Sequence, residues 1–171
     1  MKNSRTVSVL AIIALLFSGC GTAVSDNGSS GGGFKVLSLD FKVPICDQVP
    51  KSVIEKAAGK AVTEVKPKTG NITNTCDYVI DKNNTITLRL NKLSYENQKA
   101  GQSGMEGVAI ETDSSIKAEH FIVDPPTEIV MASVLIKAGE NTILTAEKGM
   151  SPDITKKQII AVAAGAVNHL K

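Results

Sequence analysis

The sequence contains no tryptophan, and tyrosine and phenylalanine together make up only 4% of its 171 residues. The hydrophobic core must therefore be built mainly from valine, isoleucine, leucine and alanine. The scarcity of aromatic rings argues against a site made of an aromatic cage, and equally against a platform on which nucleic-acid bases stack.

The chain also lacks a strong excess of either charge. Its 19 basic residues face 17 acidic ones, and two of the basic residues, Lys2 and Arg5, precede Cys20, where no acidic residue lies. The part of the chain that follows is therefore neutral, with charges of both signs interspersed along it. Without a basic stripe or a block of like charge, the sequence predicts no nucleic-acid partner.

The N-terminal apolar run is too short to span a membrane. It covers residues 7–17, which is eleven residues, whereas a helix needs about 20 apolar residues to cross the hydrocarbon core. A short basic start followed by such a run is the layout of a secretory signal. We therefore predict a signal peptide over residues 1–19.

The end of this run reads Leu16-Phe17-Ser18-Gly19-Cys20, which resembles the lipobox of bacterial lipoproteins. Phe17 stands where that family usually has an aliphatic residue. The resemblance implies that Cys20 receives diacylglycerol and becomes the new N-terminus. Two or three acyl chains then hold a domain on the outer side of the cytoplasmic membrane, or on the outer membrane of a two-membrane host, because Gly21 is not aspartate.

Residues 20–33 are rich in glycine and serine and show no apolar periodicity. A phosphate-binding loop would need a preceding strand and a lysine with serine or threonine at fixed spacing, and neither is present. This composition is typical of a flexible tether. The sequence thus divides into a signal peptide (1–19), a lipidated tether (20–33) and a domain (34–171).

Hydrophobic periodicity predicts the elements of the domain. Alternation predicts strands, and a proline before an apolar helical face with Gly59 behind it predicts a helix. The first half is expected to contain a strand over 35–43, a helix over 51–58, a strand over 61–66, a hairpin formed by 76–81 and 85–91, and a short helix over 94–102.

The second half reads as an antiparallel meander followed by a helix. Its strands are predicted over 108–111, 117–123, 128–136 and 142–146, and turn residues separate them. The last helix is predicted to begin in one of two ways: either Ser151-Pro152-Asp153 opens it, or Thr155 caps it with Gln158 three residues later. The predicted fold is α+β, an antiparallel meander packed by a short N-terminal helix and a longer C-terminal helix.

Two cysteines remain once Cys20 is assigned to lipid. In an exported protein Cys46 and Cys76 most simply form a disulfide. A metal or redox pair would favour closer spacing or added histidine ligands.

Part of the domain is similar to uncharacterised lipoprotein families of actinobacteria. The resemblance rests on Ile45-Cys46-Asp47, the helix ending at Gly59, the strand at Val62 and Cys76-Asp77-Tyr78. Those families continue with a meander and a C-terminal helix. The resemblance implies architecture and export and specifies no activity.

Residues that could carry chemistry are few. His120 lies in a predicted strand without a nucleophile elbow, and His169 lies in the last turn of the final helix, where a cation interacts well with the helix dipole. Asp81 with Asn83 and Asn84 fits a hairpin turn better than a calcium loop, and Asp124-Pro125-Pro126 reads as a rigid turn. We therefore predict no catalytic residues, no metal site and no cofactor.

The sequence favours a non-catalytic binding or accessory module of the cell envelope, with an envelope protein or a small molecule as its partner. Two alternatives stay open. One is a small envelope hydrolase that uses His120 as its base, and the other is a structural envelope spacer.

Overall fold

The computed structural model describes residues 37–124 and 132–171, and its central element is an antiparallel sheet. The strands are β1 Glu64–Thr69, β2 Thr73–Val79, β3 Thr85–Asn91, β4 Ala109–Glu111, β5 His120–Asp124, β6 Ser133–Gly139 and β7 Thr142–Glu147. The helices in this part of the chain are α1 Ile45–Gln48, α2 Lys51–Ala58, α3 Tyr95–Ser103 and α4 Lys156–His169.

The strand order is β1-β2-β3-β7-β6-β5-β4, so two antiparallel meanders meet at the pairing of β3 with β7. In that pairing Leu90 lies opposite Leu144. The predicted hairpin and the meander that follows it are both present. The described residues thus form a largely β domain with helices, one of them C-terminal, as the sequence predicts at this coarser level.

The two faces of the sheet carry different packing. On one face the buried residues of α1, α2 and α4 pack against the larger apolar cluster, which includes Tyr78, Leu88 and Ile136. On the other face a smaller cluster consists of Tyr95 from α3 with Phe121, Val123, Leu135 and Ile143. The second face is therefore only partly covered, by α3.

The helix ends follow the sequence signals. Gly59 ends α2 with φ of 66°, in the left-handed region that glycine adopts at little cost. Thr155 and Gln158 form the predicted capping box of α4. Gln158 also donates from Nε2 to the Ala58 carbonyl oxygen at 2.7 Å, which joins the start of α4 to the end of α2.

The strand predicted over 35–43 is wrong for the residues that the structure describes. Residues 37–40 have no regular structure and a turn follows at Phe41 and Lys42. The Asp40 carboxylate accepts from Lys42 N–H at 2.8 Å, and Gln48 Oε1 accepts from Asp40 N–H at 2.8 Å. These side chains bind backbone N–H groups that a strand would use to pair with a neighbouring strand. The segment therefore forms a turn instead of a strand.

Other boundaries shift by a few residues. β1 begins at Glu64 and continues through Pro67 to Thr69, later than predicted. β5 begins at His120, and β6 covers Ser133–Gly139. Residues 128–131 of the predicted strand, like the signal peptide and tether, lie outside the described residues.

Cys46 and Cys76 form the predicted disulfide, with their Cα atoms 5.3 Å apart. It joins α1 to β2. The buried Tyr78 hydroxyl donates to the Val49 carbonyl oxygen close by, and burial, with the Asp47 carboxylate adding to it, raises the pKa of Tyr78. α1 is therefore attached to the sheet by covalent and polar contacts.

No helix within residues 37–124 and 132–171 is both long enough and apolar enough to cross a membrane.

Candidate functional site

The residues singled out in the sequence mostly have structural partners. His120 is buried, its Nε2 accepts from Asp113 N–H at 2.9 Å, and its Nδ1 lies 2.8 Å from the Ala118 carbonyl oxygen. This pair of bonds requires the tautomer with the proton on Nδ1. His120 therefore holds the loop before β5 in shape, and neither ring nitrogen is left for a substrate.

The residues of the β2–β3 turn bind one another. The Asn84 side chain donates to Asp81 at 2.9 Å and to Asp153 at 3.1 Å. The Asn84 amide, followed by the Asn83 backbone N–H, holds the pKa of Asp81 below its ordinary value. Within the described ranges no group of three or more metal-ligating side chains is found.

Asp124 ends β5 and contacts the start of α4. Lys156 donates to Asp124 Oδ2 and to Glu111 Oε2, both at 2.7 Å. Burial alone would lower the pKa of Lys156, but these hydrogen bonds outweigh it and raise that pKa. Pro125 and Pro126 lie outside the described residues, as does Cys20.

His169 is exposed in the last turn of α4 and lines a cavity of about 560 Å³ between α2 and α4. The two helices pack closely there, since a Cβ atom on Gly165 would lie 3.3 Å from the Ala57 Cβ atom. Small apolar side chains form most of the lining of this cavity between α2 and α4, so it offers few directional contacts to a ligand.

The partly covered face of the sheet carries a polar network that the sequence analysis missed. We call it the open face, defined by the outward residues of β3, β6 and β7: Thr87, Arg89, Asn91, Ser133, Leu135, Ile143, Thr145 and Glu147. Arg89 Nη2 lies 2.7 Å from Glu147 Oε1. Thr87, which lies on β3 like Arg89, donates to Oδ1 of Asp77 on the adjacent strand β2 at 2.7 Å.

Glu147 is unusual in being a largely buried carboxylate on this face. Its side chain is only 13% exposed, whereas that of Arg89 is 42% exposed. Burial raises the pKa of Glu147, Arg89 opposes that rise, and the nearby Asp77 carboxylate adds to it. A carboxylate shifted by burial and charged neighbours is a frequent feature of functional sites.

A groove of about 380 Å³ lies between α3 and the open face. Its polar lining includes Arg89, Glu147 and Thr145 from the sheet, with Gln98 and Gln102 from α3. Its apolar lining comes from Leu93 and from Val123, Leu135 and Ile143, the last three of which belong to the smaller cluster. An apolar surface with a few convergent polar groups is the usual composition of a small-molecule site.

A third cavity, of about 510 Å³, is lined by Tyr95 and Lys99 of α3 together with the loop before β5. The α3 helix thus borders two cavities. Gln98 and Gln102 line the groove beside the open face, and Tyr95 and Lys99 line the cavity beside the loop before β5.

A sequence signal for the open face exists, but it is incomplete. The alternation that places Leu88 and Leu90 in the core also places Arg89 on the opposite face. The contact of Arg89 with Glu147 depends on the pairing of β3 with β7, strands more than fifty residues apart in the sequence. No local pattern contains that pairing.

No protein-family model matches the chain, and no curated protein or solved structure matches it significantly.

Proposed function

We propose that the protein is a lipid-anchored, extracytoplasmic binding module of α+β class whose ligand occupies the groove between α3 and the open face. The observation that carries the binding role is the Arg89–Glu147 pair, a mostly buried carboxylate and a half-exposed guanidinium that both line this groove.

The anchor is supported by the sequence, in which Cys20 follows a short apolar run and precedes a flexible tether. The Cys46–Cys76 disulfide is compatible with this location, because such bonds persist in oxidising compartments outside the cytoplasm. A tether of this kind holds a folded domain near the membrane without restricting its orientation.

Binding is favoured over hydrolysis by the contacts of His120. A general base needs a free nitrogen lone pair within reach of the proton it removes, whereas both ring nitrogens of His120 bind backbone groups. The hydrolase alternative therefore has no geometric support at the one residue on which it depends.

The groove suits a ligand that carries both hydrogen-bond donors and acceptors. Arg89 donates to a carboxylate or carbonyl oxygen, Glu147 accepts from an amine or amide, and Gln98 and Gln102 can do either. Leu135 and Ile143 offer an apolar surface for a side chain. These groups match an amino acid or short peptide, so our ligand class is a free peptide or a peptide segment of an envelope protein.

The anchor is tested by fractionation. Globomycin treatment or Cys20→Ala should move the protein from the membrane fraction to the soluble fraction, while Cys46→Ser, which leaves the anchor intact, should not. Mass spectrometry of native protein that still begins at Met1 with a free thiol at residue 20 would refute the anchor.

The groove is tested by titrating short peptides into the isotope-labelled domain and following backbone NMR shifts. We expect saturable shifts at Arg89, Gln98 and Thr145. Arg89→Ala should weaken binding by about ten- to a hundredfold, since a hydrogen bond to a charged group contributes about 1.5–3 kcal/mol. Lys82→Ala, on the exposed β2–β3 turn, is the matched control. Saturable binding that Arg89→Ala does not weaken would place the ligand elsewhere, and no binding by any peptide would favour the spacer alternative.

A further inference from the structure

Two of the exposed apolar side chains lie together at one end of the sheet. Within residues 37–124 and 132–171, the large apolar side chains that are exposed are those of Ile72, Leu93, Met105 and Met150. Ile72, in the β1–β2 turn, is 70% exposed, and Leu93, which follows β3, is 44% exposed. They are close in the fold, because the Ile72 carbonyl oxygen accepts from Lys92 N–H at 3.0 Å. Apolar side chains that are grouped at a surface mark interaction sites, whereas isolated ones do not.

The chain enters the domain at this same end. Lys92 Nζ lies 4.8 Å from the ring centroid of Phe41, and the Phe41 carbonyl oxygen lies 3.5 Å from Asn74 Nδ2, near the start of β2. The first described residues lead directly into the turn that contains Phe41. We call this surface the tether end, defined by residues 40–42, 70–72 and 92–93, because the tether predicted from the sequence precedes it in the chain.

Two lysines flank the apolar side chains of the tether end. Lys42 and Lys92 are exposed, and no ion pair joins either of them to a carboxylate among the described residues. Two carboxylates are also present here, Asp40, which accepts from Lys42 N–H at 2.8 Å, and Glu140 on the exposed β6–β7 turn. The net charge is therefore small, so apolar contacts must supply most of the attraction to a partner.

We infer that the tether end docks on the surface of the lipid bilayer, with Ile72 and Leu93 in the headgroup region. Lys42 and Lys92 then face lipid phosphates, because a lysine stem lies along apolar surface while its ammonium group stays at the polar boundary. The inference rests on the lipid anchor proposed above, since a coil as long as the tether has an average reach of only about 20 Å. The tether alone leaves the orientation of the domain free, and docking fixes it.

A lipid surface fits this end better than a protein partner does. A stable protein interface buries about 1,200–2,000 Å², whereas the exposed apolar part of the tether end consists of two side chains. Weak contacts are enough for a bilayer, because the tether makes docking an intramolecular event and so raises the effective concentration of the lipid surface.

The test anchors the chain chemically, so that it does not depend on lipidation in the cell. Residues 20–171 are coupled through Cys20, the cysteine outside the disulfide, to a maleimide lipid in nanodiscs of phosphatidylethanolamine and phosphatidylglycerol that contain spin-labelled lipid. We expect paramagnetic broadening of the NMR signals of Ile72 and Leu93, with little broadening at Lys82 in the β2–β3 turn. Fractionation tests the anchor and this experiment tests docking, so the two proposals can fail separately.

Variants at the two ends of the sheet provide matched pairs. Ile72→Ser should lower the ratio of docked to undocked protein about tenfold, which corresponds to about 1.4 kcal/mol, and Lys92→Gln should lower it about fivefold. The controls lie at the opposite end of β2. Met150 is 82% exposed and precedes Ser151, which binds the start of β3 beside the β2–β3 turn. Met150→Ser and Lys82→Gln should therefore leave the ratio unchanged.

Urea denaturation separates docking from damage to the fold. All four variants change exposed residues and should be as stable as the parent protein to within about 0.5 kcal/mol, which is a factor of about two in the folding equilibrium. Retained stability with reduced broadening in Ile72→Ser supports the inference. It is overturned if both ends of the sheet are broadened equally, if Ile72→Ser docks as the parent protein does, or if Met150→Ser reduces docking as much as Ile72→Ser does.

Discussion

The side chain of Asn74 accepts a hydrogen bond from the backbone N–H of Ile45 at 3.0 Å. Asn74 is fully buried in β2 and also donates from Nδ2 to the Val43 carbonyl oxygen at 2.7 Å. These bonds join Asn74, two residues before Cys76, to Val43 and Ile45, which lie three residues and one residue before Cys46, its disulfide partner. A polar contact and a covalent contact therefore attach the same short segment to β2.

We predict that Asn74→Ala lowers the free energy of unfolding by about 1–3 kcal/mol, because it leaves the backbone N–H of the buried Ile45 unpaired, whereas the Val43 carbonyl oxygen keeps its hydrogen bond from Gln48 Nε2. Asn71→Ala, in the exposed turn of the same hairpin, is the control and should change stability by less than about 0.5 kcal/mol. Urea denaturation measures both. Equal stability of the two variants would show that water replaces the Asn74 contacts.

The Cys46–Cys76 disulfide closes a loop of 30 residues, and the loop-entropy estimate assigns such a bond about 3.5 kcal/mol. The double variant Cys46→Ser/Cys76→Ser should lose about that amount. Reduction of the wild type should cause a similar loss and should leave the double variant unchanged. If the oxidised and reduced wild types unfold at the same urea concentration, the bond does not stabilise the fold.

Glu147 should make the stability of the domain depend on pH in a defined direction. Its pKa in the folded state is raised above the ordinary value of 4.5, so the folded state binds a proton more tightly than the unfolded state. The stabilising effect is present below the unfolded-state pKa and is lost as pH rises through the folded-state pKa. Glu147→Gln removes this dependence.

The wild type should therefore lose stability relative to Glu147→Gln as pH rises above the ordinary carboxyl pKa of 4.5 and through the raised pKa of Glu147 in the folded state. Glu140→Gln, on the exposed β6–β7 turn, provides the comparison. Arg89→Gln should raise the pKa of Glu147 further, as NMR titration would report. A fall in that pKa on removing Arg89 would contradict the assignment.

Two glycines should respond in opposite ways to alanine. Gly59 has φ of 66°, whereas Gly101 lies inside α3, and a Cβ atom would meet nothing within 4 Å at either position. Gly59→Ala should cost about 1 kcal/mol, because its backbone conformation is strained for a residue with a Cβ atom. Gly101→Ala should gain about 0.5–1 kcal/mol from helix propensity. Thermal unfolding of both variants tests the pair, and two shifts of the same sign would contradict it.

Local signals predicted the elements whose ends are set by neighbouring residues. Gly59 ends α2 and the Thr155–Gln158 capping box begins α4, because both signals act within one helical turn. The strand prediction over 35–43 was wrong because a contact from outside the segment determines its conformation. Its alternation is typical of a strand, but Gln48, eight residues away from Asp40, binds the Asp40 backbone and favours a turn.

By itself, the sequence determined the helices and strands that short-range periodicity and capping define, and it predicted the pairing of Cys46 with Cys76 by elimination. Only the tertiary structure decided that β3 pairs with β7, that Glu147 is buried beside Arg89, and that the Tyr95 hydroxyl has no partner among the described residues. The physical reason is distance along the chain. Contacts within a turn are encoded by adjacent residues, whereas burial and charge on the open face depend on strands that meet only after the two meanders have come together.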